Sequence, residues 1–191
     1  FFANFEKEIA PGSAIKYHAK GSNGSGKESA CTLEDMNTVS NILQTKYGYD
    51  PGSATNFPSE DGNTRFLARL DWNITNDHHL AVRYNYTKNT AWNAPNGNSA
   101  DAGTRDRTTN RVGETSMAFA NAMYSMDNKV QSWSIDLNSR FGNKVSNQLL
   151  ATYSDIQDIR GTNSSIFPFI DIMDGNNHHY MAAGYELFTY N

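Results

Sequence analysis

In the segment Arg65-Phe66-Leu67-Ala68-Arg69-Leu70-Asp71-Trp72-Asn73-Ile74, apolar side chains occupy every second position from Phe66 to Ile74. Charged and amide side chains fill the positions between them, with Leu67 as the one exception. A period of two is typical of a β-strand that has one apolar and one polar face. Residues 75–78 (TNDH) have turn chemistry, and the alternation resumes at Leu80. The sequence therefore predicts an antiparallel hairpin.

A second hairpin repeats this pattern, with alternation over residues 132–141, a turn at 142–144 and alternation again from 148. Leu150 interrupts the polar face of its second strand. The predicted strands are roughly residues 1–8, 64–75, 79–88, 130–141 and 144–157. Long loops are predicted over roughly residues 9–63, 89–129 and 158–191. Tight turns therefore alternate with long connections along the chain.

One short amphipathic helix is predicted inside the first long loop. Thr32-Leu33-Glu34-Asp35 fits a capping box, in which an acid reaches back to the N-cap amide. Apolar side chains then recur at helical spacing as far as Tyr47, and Gly48 is a natural residue after a helix end. This loop helix should pack against another part of the chain.

The composition excludes several classes of protein. The 191 residues are 38% hydrophobic and 19% charged, and no apolar run approaches the ~20 residues that a membrane-spanning helix needs. Spanning strands are not excluded, because they require an apolar residue only at alternate positions. A net charge of -4 argues against a nucleic-acid partner. The single Cys31 excludes an intrachain disulfide and a cysteine-rich zinc site.

Chemical motifs are weak. Residues 21–27 (GSNGSGK) match the start of a phosphate-binding loop, but Glu28 stands where Ser or Thr should hold magnesium. The adjacent histidine pairs at 78–79 and 178–179 lie at turns, where neighbouring side chains diverge, so they favour solvated residues over metal ligands. No nucleophile–base pair or carboxylate pair is evident. We therefore expect no enzymatic activity, no cofactor and no metal site.

Period two alone does not say what covers the apolar face, since a β-sandwich and a membrane barrel share it. Short turns alternating with long loops, and strands near the length that a tilted span requires, favour the membrane. The prediction is an all-β fold: an antiparallel transmembrane β-barrel segment with long extracellular loops and one short loop helix. The aromatic residues predicted at the lipid interfaces are Trp72, Tyr84, Tyr86, Trp133 and Tyr153. A soluble or cell-surface β-sandwich that binds carbohydrate remains the alternative.

The first hairpin, residues 65–86, resembles a barrel hairpin of TonB-dependent outer-membrane receptors. The closest likeness is to the Oar-like receptors of Bacteroidetes, which carry an N-terminal carboxypeptidase-regulatory-like domain. Four further segments resemble consecutive parts of such a receptor, from the first barrel strand through the loop helix to a later strand and loop. These are residues 1–6 (FFANFE), 43–52 (LQTKYGYDPG), 132–141 (SWSIDLNSRF) and 167–172 (FPFIDI).

The resemblance implies an outer-membrane receptor for TonB-dependent active uptake. It implies outer-membrane lipid and, through a plug domain, TonB as partners, and it allows for a surface lipoprotein. The chain starts and stops within strand-like sequence, so we expect a piece of a longer polypeptide, with the plug and the remaining barrel outside it. The loops would then capture a small ligand, glycan or peptide, and the candidate contact residues are Trp92, Asn93, Asn96 and Tyr180.

Overall fold

The structure is a computed structural model that describes residues 1–12, 14–58, 60–95, 110–176 and 178–186. It is mostly β, with 56% of residues in strands. The strands are β1 (Phe2–Pro11), β2 (Tyr17–Lys20), β3 (Lys27–Thr32), β4 (Glu60–Asn73), β5 (His78–Asn93), β6 (Met117–Ala118), β7 (Tyr124–Phe141), β8 (Val145–Gly161), β9 (Ile170–Met173) and β10 (His179–Ala183). Helix α1 spans Leu33–Tyr47, and a single 3-10 turn spans Ala120–Ala122.

The chain divides into two compact units. The first, here called the sheet unit, comprises residues 1–10, 61–90 and 127–159. The second, here called the loop unit, comprises residues 11–60, 91–126 and 160–191. Each unit is therefore built from three separate stretches of sequence.

The sheet unit is one antiparallel sheet with the strand order β1-β4-β5-β7-β8. Strands β4 and β5 pair without interruption from Gly62–Thr90 to Asn73–His79, which confirms the first predicted hairpin. Strands β7 and β8 are also neighbours, joined by the turn at residues 142–144. Gly142 in that turn adopts a φ of 64°, a left-handed conformation that favours glycine.

Several strands extend beyond their predicted limits, always at the end away from the tight turns. Strand β5 continues to Asn93 instead of ending near 88, and β7 starts at Tyr124 instead of near 130. Strand β8 continues to Gly161 instead of ending near 157. In the extensions of β5 and β7 both faces carry polar residues, so the strands continue where the apolar alternation has ended.

Helix α1 has the predicted termini. Thr32 is its N-cap and accepts a hydrogen bond from the Asp35 amide at 3.1 Å. At the other end Gly48 is left-handed, with φ 64°, and its amide donates to the Gln44 carbonyl. Met36 and Leu43 on the apolar face of the helix are buried.

The regions predicted as irregular loops contain a packed core. Strands β6, β10 and β9 form a three-stranded sheet, and β2 and β3 form a parallel pair. Their apolar side chains pack with α1 in one cluster: Ile15, Ala19, Cys31, Met36, Leu43, Tyr49, Met117, Phe119, Met123, Met181 and Ala183. The sequence did not predict these strands because two- to six-residue segments are too short to show a clear period.

Candidate functional site

The apolar face of the sheet unit follows from the register of its strands. Opposite Leu70 lies Val82, and opposite Trp72 lies Leu80, so the predicted apolar positions of β4 and β5 share one face. Strand β7 continues this face, because the rings of Tyr84 and Trp133 lie 4.4 Å apart between centroids. Two large side chains of this face on β4 are more than half exposed, since Leu70 is 54% exposed and Trp72 is 58% exposed.

The apolar face is a band of limited height. It runs from Phe66 of β4 to Ile74, the residue directly after the strand, and so spans nine residues, or eight steps along the backbone. A rise of ~3.3 Å per residue gives a length of about 26 Å, and tilting lowers the height further. Past the band the same face becomes polar, since Lys88 of β5 pairs with Asp127 of β7 at 3.5 Å.

The predicted interface aromatics fall into two groups on this face. Tyr84, Tyr86 and Trp133 lie at the end away from the tight turns, and Tyr84 donates a hydrogen bond to Gln131 at 3.1 Å. Tyr153 of β8 is four residues after Leu149, so both side chains are on the same face of the strand, and Tyr153 is 66% exposed. Trp72 lies at the tight-turn end, opposite Leu80. The register of β4 and β5 therefore separates Trp72 from Tyr84 and Tyr86, and Tyr84 contacts Trp133.

The opposite face of the sheet unit is ionic. Arg69 donates to both carboxylate oxygens of Asp71 at 2.7–3.0 Å, and Arg65 lies 3.5 Å from Glu6. The Gln148 side chain donates to Asp136 at 3.0 Å, which joins β8 to β7 on this face. A cavity of about 490 Å³ lies over it and is lined by Phe2, Leu67, Arg69, Asp71, Arg83 and Asn85.

The two tight turns are tied together by one ion pair. Arg140 at the end of β7 contacts the Asp77 carboxylate at 2.7 Å, and its backbone amide donates to the Asp77 carbonyl at 2.8 Å. This contact places the end of the second hairpin beside the turn of the first. A cavity of about 430 Å³ lies here, lined mostly by amide and hydroxyl side chains.

The candidate ligand residues lie in the loop unit or outside the described residues. Trp92 packs against the core cluster, and the Asn93 side chain donates to the Ala91 carbonyl at 3.3 Å. Asn96 lies outside the described residues. None of the cavities described in this section is lined by Trp92, Asn93 or Tyr180.

Tyr180 completes the N-terminal cap of α1, a role that the sequence did not predict. Its hydroxyl donates to Asp35 Oδ2 at 2.6 Å and accepts the Thr32 amide at 3.2 Å. In the predicted capping box the acid itself would accept a hydrogen bond from the Thr32 amide. Here the Tyr180 hydroxyl accepts that hydrogen bond and in turn donates to the Asp35 carboxylate. The hydroxyls of Thr32 and Tyr180 lower the pKa of Asp35, while burial raises the pKa of Tyr180.

A groove lies beside α1 in the loop unit. It has a volume of about 720 Å³ and lies between the end of β2 and one side of the helix. Exposed polar side chains dominate its lining: Lys20, Glu34, Asn37, Thr38 and Asn41. Such side chains can donate to and accept from hydroxyl or peptide groups of a ligand.

Buried charges are the main feature that sequence reasoning missed. The Arg111 side chain is 1% exposed, donates to both oxygens of Asp171 at 2.6–2.7 Å and lies 4.4 Å from the Phe169 ring centroid. A second pair joins Arg160 to the buried Glu186 at 2.9 Å, with Tyr124 stacked 3.5 Å from the guanidinium. No local pattern marks these partners, since Arg111 and Asp171 are 60 residues apart.

The described residues contain little that resembles reactive chemistry. Burial raises the pKa of the Cys31 thiol to about 12, which keeps it neutral and unreactive at ordinary pH. Burial also raises the pKa of Tyr49, whose hydroxyl contacts Ser164 at 2.7 Å. Across the described ranges no group of three or more His, Cys, Asp or Glu residues is placed to hold a metal ion.

No helix in the described part of the chain is both long and apolar enough to cross a membrane. Comparisons with family models, curated proteins and solved structures found no match to this chain.

Proposed function

We propose that this chain forms part of the wall and the external loops of an outer-membrane β-barrel receptor that takes up a ligand by TonB-dependent transport. The observation that carries the proposal is the apolar band of the sheet unit. Apolar and aromatic side chains cover one face while ion pairs such as Arg69–Asp71 cover the other. Lipid on the first face and a polar interior on the second would satisfy both sets of side chains.

The exposure of the band supports lipid over water as its surroundings. Large apolar side chains on this face are about half exposed or more, including Leu70, Trp72, Trp133, Ile135, Leu149 and Tyr153. Contiguous apolar surface of this kind is uncommon on soluble monomers and marks a membrane or protein contact. In a β-sandwich this face would be covered by a second sheet.

The dimensions of the band also support the proposal. Strands tilted by ~40° need about 9–11 residues to cross the hydrocarbon layer, and the apolar run that begins on β4 and ends at Ile74 has nine. Aromatic rings border it at both ends, with Trp72 towards one and Tyr86 towards the other. Aromatic girdles at the two interfaces are a general feature of outer-membrane barrels.

The loop unit would form the ligand-facing part of the receptor. Its described residues form a packed core, so ligand contacts from this part of the chain would come from its outer surface. The groove beside α1, with Lys20, Asn37 and Asn41 along it, fits a polar ligand such as a glycan or peptide. Force from TonB would act on a plug domain and not on these residues, and we assign the chain no catalytic step.

Extraction of the protein from cells tests this proposal. We expect the protein that carries this chain to sediment with outer membranes and to require detergent for release. Alkaline carbonate should leave it in the membrane pellet, because the apolar band would hold it in lipid. Release into buffer as a stable monomer without detergent would contradict the proposal and favour a soluble carbohydrate-binding sandwich.

A further inference from the structure

A row of lysines borders the apolar band at the end away from the tight turns. The sheet unit contains four lysines, and three of them, Lys7, Lys88 and Lys129, are on the apolar face at this end. The fourth, Lys144, lies in the turn at the opposite end. Resting on the membrane location proposed above, we propose that this lysine row binds the phosphate of an anionic lipid headgroup.

Strand register places the three lysines at one level. Lys88 pairs directly with Thr64 of β4. The Tyr84 ring contacts the Trp133 ring, and Asn85 donates a hydrogen bond to Ser132, so in this antiparallel pair Lys88 lies level with Lys129. On β1, the Glu6–Arg65 contact is on the ionic face, so the next residue, Lys7, is on the apolar face near the level of Thr64.

The row directly follows the aromatic border. Phe66 pairs with Tyr86, two residues nearer the band centre than the Thr64–Lys88 pair. The distance from the aromatic row to the lysine row is therefore about 7 Å along the strands. Lysine stems of this length can lie against apolar surface while the ammonium group reaches the headgroup layer.

The charge balance of this row favours an anion. Two acids share the face, of which Asp127 lies 3.5 Å from Lys88 and Asp155 accepts a hydrogen bond from Gln157. In the described residues Lys7 and Lys129 have no ion-pair partner. Neighbouring strands are ~4.8 Å apart, so one phosphate can contact both Lys88 and Lys129.

The test compares two triple variants with the same change in charge. One carries Lys7→Gln, Lys88→Gln and Lys129→Gln in the lysine row. The matched control carries Lys16→Gln, Lys27→Gln and Lys46→Gln, which are exposed lysines of the loop unit. Detergent-purified protein from cell membranes is titrated with dioleoyl phosphatidic acid, with dioleoyl phosphatidylcholine and with inorganic phosphate, and bound lipid is counted by native mass spectrometry.

We expect wild type and the control to prefer phosphatidic acid over phosphatidylcholine, and the lysine-row variant to bind phosphatidic acid about tenfold or more weakly. Replacing the same three lysines by arginine should preserve binding, which separates lost charge from damaged folding. Equal binding by the two glutamine variants, or displacement of lipid by inorganic phosphate at equal concentration, would overturn the proposal. A protein released into buffer without detergent would contradict the proposed function itself.

Discussion

The two units of the chain differ in whether they bury their apolar side chains. In the loop unit Phe119 is fully buried in a core of methionine, aromatic and aliphatic side chains. In the sheet unit Trp72 and Tyr153 are more than half exposed, and every buried apolar side chain among the described residues belongs to the loop unit. The difference indicates that the two units are built for different surroundings.

Elementary energetics explain why the loop unit needs its own core. Burial of apolar area contributes about 25 cal/mol per Å², and this has to offset the conformational entropy of ordering three separate segments. A strand pair bordered by lipid on one face gains this term from the lipid instead. In the membrane location proposed above, the sheet unit can place its ion pairs on one face and its apolar side chains on the other.

Truncating Phe119 should give the largest effect, because the loop unit depends on its buried apolar core. Phe119→Ala removes a fully buried ring, and we expect it to lower the free energy of unfolding by about 3–5 kcal/mol. The matched change Phe141→Ala removes a ring that is 58% exposed in the sheet unit and should cost much less. Denaturant titration of the protein in lipid vesicles measures both, and equal losses would contradict the difference between the units.

Placing a charge on the apolar band should give the next largest effect. Leu70→Arg or Val82→Arg, which alter directly paired positions, should cost about 2–4 kcal/mol if the band faces the middle of a bilayer. The control Arg69→Leu alters the adjacent residue on the ionic face and should be tolerated far better. Insertion into lipid vesicles can be followed by heat-dependent gel mobility, and similar effects of the two kinds of change would refute the assignment of faces.

Removing the helix N-cap should have a moderate effect that is confined to the loop unit. Thr32→Ala loses the hydrogen bond from the Asp35 amide, and we expect a loss of about 1 kcal/mol. Thr38→Ala is the control, because the Thr38 hydroxyl donates only to the Glu34 carbonyl within the helix and alanine favours the helix there. If Thr38→Ala cost as much as Thr32→Ala, the cap would not be the stabilising feature.

The sequence predicted the sheet unit better than the loop unit for a physical reason. The faces of β4 and β5 follow from alternation within ten residues, so the Leu70–Val82 pairing could be predicted before the structure was known. The pairing of β6 with β10 joins Met117 to Met181, and it is determined by burial in a shared core. No local period encodes such a contact, and the same holds for Arg111 with Asp171.

The candidate site residues also differ in whether local alternation could predict their positions. The five aromatics predicted at lipid interfaces lie on the predicted strands, and the register of β4 and β5 places Trp72 and Tyr86 towards opposite ends of the band. Tyr180 was predicted from its residue type alone, and its contact with Asp35 spans 145 residues. The lysine row needed the register of four strands, which single-strand periodicity does not provide.

Acidification should have the smallest effect, and it acts on the N-cap network of the loop unit. Hydrogen bonds from Thr32 and Tyr180 lower the pKa of Asp35 below its usual value of 3.8. A carboxylate with a lower pKa in the folded state contributes stability above its unfolded pKa, and this contribution is lost as pH falls through the folded pKa. We therefore expect the helix signal of wild type to weaken below about pH 4.

The variant Asp35→Asn should lose that part of the pH dependence, whereas Glu34→Gln, at the neighbouring acid of the same helix turn, should retain it. The pKa of Asp174 is also lowered, by the His178 and Asn176 amides, so wild type should keep a second acid transition that Asp35→Asn does not alter. Circular dichroism between pH 5 and pH 2.5 compares the three proteins. A pH profile for Asp35→Asn identical to that of wild type would mean that the Thr32–Asp35–Tyr180 network does not stabilise the loop unit, and that its core alone holds the helix in place.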